Sequence, residues 1–511
     1  MNGGGATNVL VLEATGAVGG RCRSVNGDGS TNDPEAEDPP MEVHDLGAGW
    51  LYSGTAMSNV LEEGGYLDSG GVLDGPADTS VPMGLGSGRF YRQTYDNDDD
   101  DAATVTTSAM DLTASAEQME EVWGGFHEFR TNRLSEMGGM SYEGEGGPSA
   151  FFSRLGDSYA AGSCSIPSRL PNPSPPPLYL LFPVYYPYSP SRIGEEAIDW
   201  YIERWGYTDD GAIDFLDFME SSLEIENAGE SSLLDIDGIS FFPPGYAVDS
   251  HYMGVPGAGF GNVAARYASP HVSSIRFNSR VLGVDSESDA DFAVVTYVGE
   301  DGATRAVKAR TVLVTVSLGV LKAGTIDFAP ALPEDKLAVI DAMGYGTVNT
   351  CILSWDDGSA LVWPEDDMWF MLITPEEETS GKWTTFFNPS SLKGRPTLVS
   401  YVAGDDASSM EGQTDEEVLE DVMANLRAMF PDVPDPDGVL VTRWGSEEDF
   451  LGAHSHPVPG RDIAEDAAVL SEAYGRVYFA GEATGSSWGT TMGAWNTGEE
   501  QALAMAQRLL G

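Results

Sequence analysis

A mixed α/β chain organised around a dinucleotide-type parallel sheet is predicted by three stretches of this sequence. The first is Asn8–Arg23, NVLVLEATGAVGGRCR, where the apolar run Val9–Leu12 ends on Glu13 and enters a turn with Gly16, Gly19, Gly20 and Arg21. A strand buried on both faces reads as such a run. An acid at its carboxyl end is where a dinucleotide fold takes ribose hydroxyls. The second stretch is Arg476–Glu482, RVYFAGE, a strand ending in Gly-Glu and followed by a helix that starts near Gly489–Ala494. The third is the middle of the chain. There Thr311–Val316 is a further apolar strand, and Thr347–Trp355, Met368–Thr374 and Thr397–Ala403 read as strands of a second, mixed sheet.

The elements follow in order. A polar loop, Asn26–Pro40, leads to Val43–Leu51, VHDLGAGWL. Small residues before an aromatic let a backbone approach a flat ligand, or simply make a tight turn beside a core Trp; both readings stand. Ser58–Glu63 reads as a short helix, and Gly84–Met110, with Asp98–Asp101 in a row, as a solvated loop. Ser115–Met137 has helical apolar spacing, as do Ile193–Trp205 and Ile213–Leu223. Between them Ser163–Ser191 is dense in proline and reads as an insertion that supplies no chemistry. Val281–Val284 is a strand, and Phe292–Val298 turns through Gly299–Gly302 into Ala306–Ala309 as a hairpin. Asp327–Pro333 reads as a loop and Lys336–Met343 as a short helix. Asp415–Phe430 is a helix that Thr414 can cap, with a stripe of Val418, Val422, Leu426 and Phe430. At the C-terminus, Glu482 lies beside a helix start whose free N–H groups can hold an anion or an electron-rich ring. An ordinary strand–turn–helix with a solvated acid is equally consistent.

Composition narrows the class of ligand. The chain of 511 residues carries 81 acids against 26 bases, a formal charge of −55. Such a field repels nucleic acid and anionic membranes and draws in cations. The acids are spread along the chain, which favours solubility or a salty medium over steering of a cationic substrate. Cys22, Cys164 and Cys351 are too few and too far apart for a disulfide framework or a zinc site, so no metal is expected. No run approaches the ~18 apolar residues of a membrane helix, and no signal peptide is read. A reducing compartment is compatible, with the cytoplasm favoured.

Six pieces in order carry a resemblance: LEATGAVGGR, DLGAGW, VLVTVSLGVLKAGTIDFAPALP, MGYGTVN, TRWGSEEDFLGAHS and FAGEATGSSWGTTMGAWNTG. With them the chain resembles the flavin-dependent amine oxidases, a group of polyamine oxidases, monoamine oxidases and histone demethylase relatives. The resemblance implies FAD as cofactor, bound non-covalently because no Cys lies in Ala483–Gly489. It implies a discontinuous FAD-binding domain over 1–84, 256–344 and 441–511. The substrate domain would then take 85–255 and 345–440, interrupted by the proline-rich insertion at about 163–191. Carried over by position, Glu13 looks like the adenosine-ribose ligand, and Gly20 and Arg21 like the turn and its pyrophosphate contact. Ala48, Gly49 and Trp50 look like backbone along the flavin, and Val281 like a backbone contact to adenine. Trp444 looks like an indole near the isoalloxazine, and Gly481 and Glu482 like a ribityl or pyrophosphate contact. Thr491 and Met492 look like the start of the helix aimed at the flavin.

The departures from that pattern are expectations too. The Gly-rich fingerprint belongs about 20 residues before the ribose acid, on a strand of its own. Here only twelve residues precede Glu13. The chain is therefore expected to lack its start, with an unpaired flank or gap beside Val9–Leu12, and to bind little or no FAD if translation begins at Met1. The family's lysine, which holds a water near the flavin, falls on Thr350, which lacks its charge and reach. The two walls flanking the substrate fall on His454 and Thr490, and the His is expected to be partly cationic near neutral pH. Glu203 and Asp209 are candidates for distal ammonium groups. The implied reaction is oxidation of an amine, a polyamine among them, to an imine that water converts to an aldehyde, with O2 reduced to H2O2. Its partners would be the small amine and O2. A catalytically silent relative and a flavin oxidoreductase acting on a non-amine or an amino acid are the alternatives.

Overall fold

The computed structural model describes residues 8–30, 43–48, 259–289, 291–356, 362–364, 367–374, 382–390, 395–456, 458 and 461–510. It also describes the backbone of strands 50–52, 73–74, 88–96, 104–109 and 250–252, and positions 57, 60, 61 and 225. The helices expected at 115–137, 193–205 and 213–223, the proline-rich 163–191, and Glu203 and Asp209 lie outside the described residues. Of the helix expected at Ser58–Glu63, positions 60 and 61 are helical.

The larger sheet has seven strands, in the order Gly438–Val441, Val348–Ser354, Thr397–Ala403, Thr385–Phe387, Trp369–Ile373, Gly88–Asp96 and Thr104–Ala109. Its pairs are antiparallel except Trp369–Ile373 with Gly88–Asp96. Trp369–Ile373 and Thr385–Phe387 are buried at every position, as continuous apolar and β-branched strands should be. Helix Asp415–Met429 lays Val418, Val422, Leu426 and Met429 into this core beside Phe370 and Leu398. A capping box starts that helix: the Thr414 hydroxyl accepts from Glu417 N, and the Glu417 carboxylate accepts from Thr414 N at 2.9 Å. At its end Phe430 meets Tyr91 and Phe370 edge to face and Trp363 at a tilt.

The stretch 84–110 is corrected from a solvated loop to a hairpin of two strands in this sheet. Thr94 pairs with Thr106 and Tyr95 with Val105 across it, aromatic and β-branched residue types that suit a pleated surface. The acidic run lies in the connection between them, and it masked the strands on either side.

A second sheet orders Thr304–Ala309, Ala293–Val298, Arg280–Asp285 and Asp327–Ala329. The expected hairpin closes through Gly299–Ala303, with Gly302 at φ 75°. Asp327–Ala329, expected as loop, is a short strand parallel to Gly283–Asp285. Three residues are too few to show a period, and the open edge of the neighbouring strand recruits them.

The parallel layer consists of two pairs, Val11–Leu12 with Ile275–Arg276 and Val312–Val314 with Val477–Phe479. Among the described residues no strand joins these pairs, and Val11–Leu12 is hydrogen-bonded to a strand on one side. Val314 and Phe479 share a core with Leu318, Ile340 and Leu470. Ser317 caps helix Leu318–Ala323, which ends on Gly324 in the left-handed region at φ 62°. Helices Glu334–Ala342, Ile463–Ser471 and Thr491–Leu510 complete this half.

Candidate functional site

Five segments far apart in sequence converge at the carboxyl ends of Val312–Val314 and Val477–Phe479. The first is the N-terminal turn. Gly19 at φ 108° and Gly20 at φ 59° bend the chain, and a Cβ on Gly19 would stand 2.5 Å from the Cys22 carbonyl. The turn delivers Arg21, whose Nη1 donates to Glu482 Oε1 at 3.0 Å and to the Ala453 carbonyl at 2.5 Å. Its guanidinium also sits 5.8 Å from the centre of the Tyr345 ring, and the Tyr345 hydroxyl donates to the Phe450 and Gly452 carbonyls.

Glu482 is the hub. Besides Arg21, it accepts from Gly489 N at 2.8 Å and from both the hydroxyl and the backbone N–H of Ser455. Burial pushes its carboxyl up, yet Arg21, Ser455, His454 and Gly489 together outweigh that and hold it below the ordinary carboxylate value. Gly481 beside it has φ 139°, and Thr497 of the last helix clasps both its N–H and its carbonyl. A Cβ on Gly481 would meet nothing within 4 Å. The backbone angle therefore demands glycine there, and the space beside it is open. Gly481 lines a small pocket together with Arg21, Val316, Ser317, Glu482 and Thr484.

His454 and the start of the last helix form the next wall. Gly489, at φ 68°, is so close to the imidazole that a Cβ would lie 2.9 Å from His454 Nδ1. The ring Nδ1 lies 3.0 Å from the Ser455 carbonyl and donates to it. Burial pushes the imidazole below its ordinary value, ahead of the opposing pull of Ser455 and Glu482. The expectation of a partly cationic His454 is therefore corrected: desolvation keeps the ring neutral near pH 7. Thr490 is buried, and its hydroxyl donates to the Ser487 carbonyl at 2.7 Å and accepts from Gly493 N at 3.0 Å. It thus works as the cap of the helix that Thr491 and Met492 begin.

Trp444 closes the opposite side. Its Nε1 donates to the Leu46 carbonyl at 3.2 Å, and its ring packs edge-on against Phe450. Leu46–Ala48 runs between this indole and the Arg21 turn. Ala48 N donates to the Arg21 carbonyl, and a Cβ on Gly47 would stand 2.0 Å from that carbonyl and 3.1 Å from the indole. Gly49 is outside the described residues, and Trp50 is described only as the start of strand Trp50–Tyr52.

The comparisons with known proteins agree with this arrangement. The sequence profile described as flavin containing amine oxidoreductase matches residues 203–506, more than half of the chain. The chain belongs to the flavin-containing amine oxidoreductase family. It is 34% identical over 237 residues to polyamine oxidase 4 of Oryza sativa subsp. japonica, a match covering 46% of each chain. It is 37% identical over 210 residues to a probable polyamine oxidase 4 of Arabidopsis thaliana, covering 41% of this chain and 39% of that one. A lysine-specific histone demethylase 1 homolog 1 of Arabidopsis thaliana is 36% identical over 197 residues, covering 37% of this chain and 23% of its own. The chain thus spans less than half the length of the curated relatives it matches. A putrescine oxidase double mutant redesigned in cofactor binding shares the fold, with a TM-score of 0.57, 17% identity, and 97% of this chain and 93% of that one covered.

Glu13 and Val281, expected on the ribose side, lie on neighbouring segments linked through Ser279. Glu13 ends the first strand, where its N–H donates to the Arg276 carbonyl and its own carbonyl accepts from Ser279 N. Val281, two residues on, is half-buried on the adjoining strand opposite Tyr297. The Glu13 carboxylate takes two bonds of 2.8 Å from Thr15 on Oε1, and burial pushes its pKa up.

Thr350 sits apart, on strand Val348–Ser354. Its N–H donates to Thr442 Oγ1 at 2.7 Å, and its hydroxyl lies 3.4 Å from the same atom. Among the described residues no group of three or more His, Cys, Asp or Glu could hold a metal, and no helix is long and apolar enough to cross a membrane.

The donor set suits a flavin nucleotide. Both protein hydrogen bonds of Arg21 use Nη1, and the residue lines the pocket whose rim is the open Gly481. A cationic fork facing open space beside glycine backbone matches a phosphate group. Sequence reasoning missed Ser455, Thr497, Asn349 and Glu411. Ser455, Asn349 and Thr497 lie within the motifs given above, but nothing local marks a partner 16 to 95 residues away.

Proposed function

We propose that this chain is an FAD-dependent amine oxidase that holds FAD non-covalently and oxidises an amine, with polyamines the leading class. The observation that carries the reading is the convergence on Glu482. One buried carboxylate joins the Arg21 turn, the His454 strand and the start of the last helix. Glu13 and Val281 would take the adenosine end, and Arg21 and Gly481 the phosphates. Trp444, the Leu46–Ala48 backbone and the helix start at Thr491 would surround the ring. FAD-binding segments 1–84, 256–344 and 441–511 and substrate-binding segments 85–255 and 345–440 follow from the same reading. A flavin held by these residues would supply the acceptor for the two electrons and two protons that the amine's CH–NH unit loses on becoming an imine. O2 would take these on and leave as H2O2, while water turns the imine into an aldehyde and releases the remaining amine or ammonia.

The chain's own residues have narrower tasks. The neutral His454 and the capped Thr490 present uncharged walls, so a reacting nitrogen can stay deprotonated between them. Thr350 is the point on which a second reading rests: a silent relative that keeps the fold without turnover.

The test is to produce the full chain with FAD and follow absorbance and peroxide. The expected result is a yellow protein that releases H2O2 with spermine, spermidine or putrescine. A flavin-loaded protein that yields no peroxide with these or with monoamines would favour the silent reading.

A further inference from the structure

Trp444 is held from behind by two polar residues with no assigned role. Asn349 is fully buried on strand Val348–Ser354, one position before Thr350. Its Oδ1 accepts from Trp444 N at 2.9 Å and from Thr442 Oγ1 at 3.2 Å. Its Nδ2 donates to Glu411 Oε1 at 2.9 Å and to the Ala407 carbonyl at 3.2 Å. Glu411 ends helix Gly404–Met410, and its Oε1 also accepts from Gly445 N at 2.7 Å, while its Oε2 accepts from the Ser446 hydroxyl at 2.5 Å. The backbone lies so tightly on this carboxylate that a Cβ at Gly445 would stand 2.8 Å from Oε1. Both donors and both acceptor sites of the Asn349 amide are thus in use.

The indole is buried and packs edge-on against Phe450, and its polar contacts are few. Its one side-chain hydrogen bond runs to the Leu46 carbonyl, and Gly47 lies directly against its edge. A slide of the Thr442–Ser446 backbone by a fraction of an ångström would drive the ring into Gly47 or away from Leu46. We infer that Asn349 and Glu411 are positioning residues that clamp residues 442–446 and so set the Trp444 indole against Leu46–Gly47. That the indole then faces a flavin rests on the function proposed above. The clamp does not, because every contact in it is within the chain. A charged acceptor on a backbone N–H makes a stronger bond than a neutral one, so Glu411 supplies the strength and Asn349 the register.

Hydrogen exchange of the full chain, read by mass spectrometry on peptides covering 442–446 and 397–403, tests this without turnover. In Glu411→Ala, exchange at 442–446 is expected to accelerate by about tenfold or more, the effect of losing a charge-assisted bond. Exchange at 397–403 should stay unchanged. Glu411→Gln, which keeps an acceptor, is expected to recover most of the protection. Asn349→Leu is expected to loosen 442–446 as well and to change the near-ultraviolet circular dichroism of the indoles. Unaltered exchange at 442–446 in Glu411→Ala would overturn the clamp. So would equal acceleration at 397–403, since the two residues would then serve the sheet and not the indole. Should Asn349→Leu fail to fold, the two Glu411 variants decide alone, because that side chain is only half-buried at a helix end. Should the parent chain bind no flavin, the proposed function falls while the exchange result still judges the clamp.

Discussion

The seven-stranded sheet and the Glu482 corner stabilise the same chain by opposite means. In the sheet, order comes from area: Cys351, Leu353, Phe370, Phe386 and Leu398 are fully buried and touch many neighbours of their own kind. Attraction there is non-directional, so a lost side chain is partly replaced by relaxation around it. In the corner, order comes from four partners on a single carboxylate: Arg21, two groups of Ser455, and Gly489. Few of those partners have substitutes, and removing one exposes another to a cost it did not bear before. The lesson is that the sheet can drift in sequence while the corner cannot, although the sheet contains far more buried surface.

Four measurements would sharpen or break this contrast. The largest effect belongs to the sheet: Phe370→Ala should destabilise the chain by about 4 kcal/mol in urea unfolding. It should leave exchange at 442–446 untouched in the folded protein. Next comes the corner. Arg21→Met should cost about 3 kcal/mol, because Glu482 is left buried without its counter-charge. Combining it with Glu482→Gln should recover more than half of that loss, as expected for coupled partners. A double variant as unstable as the sum of the two singles would break the idea that charge pairing, and not packing, holds this corner.

Acid separates the two regions next. His454 has a folded-state pKa below its ordinary 6.5, so its neutral form adds stability that is full above that value and is lost as pH falls through the lower one. Glu482 is held below its ordinary 4.5, so its contribution is intact above that pH and goes as the medium falls through its own, lower value. Stability should therefore decline in two limbs, and His454→Asn should flatten the first while Phe370→Ala lowers the whole curve in parallel. The smallest effect is local: Thr414→Ala should cost about 1 kcal/mol by opening the capping box, seen as a modest shift in the urea midpoint.

Much of the sheet was legible in the sequence. Strands at 348–354, 369–373 and 397–403 and the capped helix at 415–429 show their period within one window. The hairpin at 88–109 was hidden because a like-charge run dominates the composition around it. Strand Asp327–Ala329 was hidden because three residues carry no pattern. At the site, Glu13, Arg21, Trp444 and Glu482 stood out through local motifs. What joins them did not: Arg21 and Glu482 are 461 positions apart, and Asn349 and Glu411 are 62 apart. Pairing over such separations is a property of the fold, and a single sequence does not display it. The protonation state of His454 was misjudged for the same reason, since desolvation depends on what the rest of the chain brings to it.

The Arg21–Glu482 pair also dictates when this protein can mature. Arg21 leaves the ribosome 461 residues ahead of its counter-charge. Until then the cation lacks this partner, and strand Val11–Leu12 waits for Ile275–Arg276. Domains usually consolidate from the N-terminus while translation proceeds, but this corner cannot close until the segment through Gly489 has emerged. Loading of any ligand that needs it therefore waits for that segment. A nascent chain stalled anywhere before residue 482 would be a client for chaperones, however complete its seven-stranded sheet.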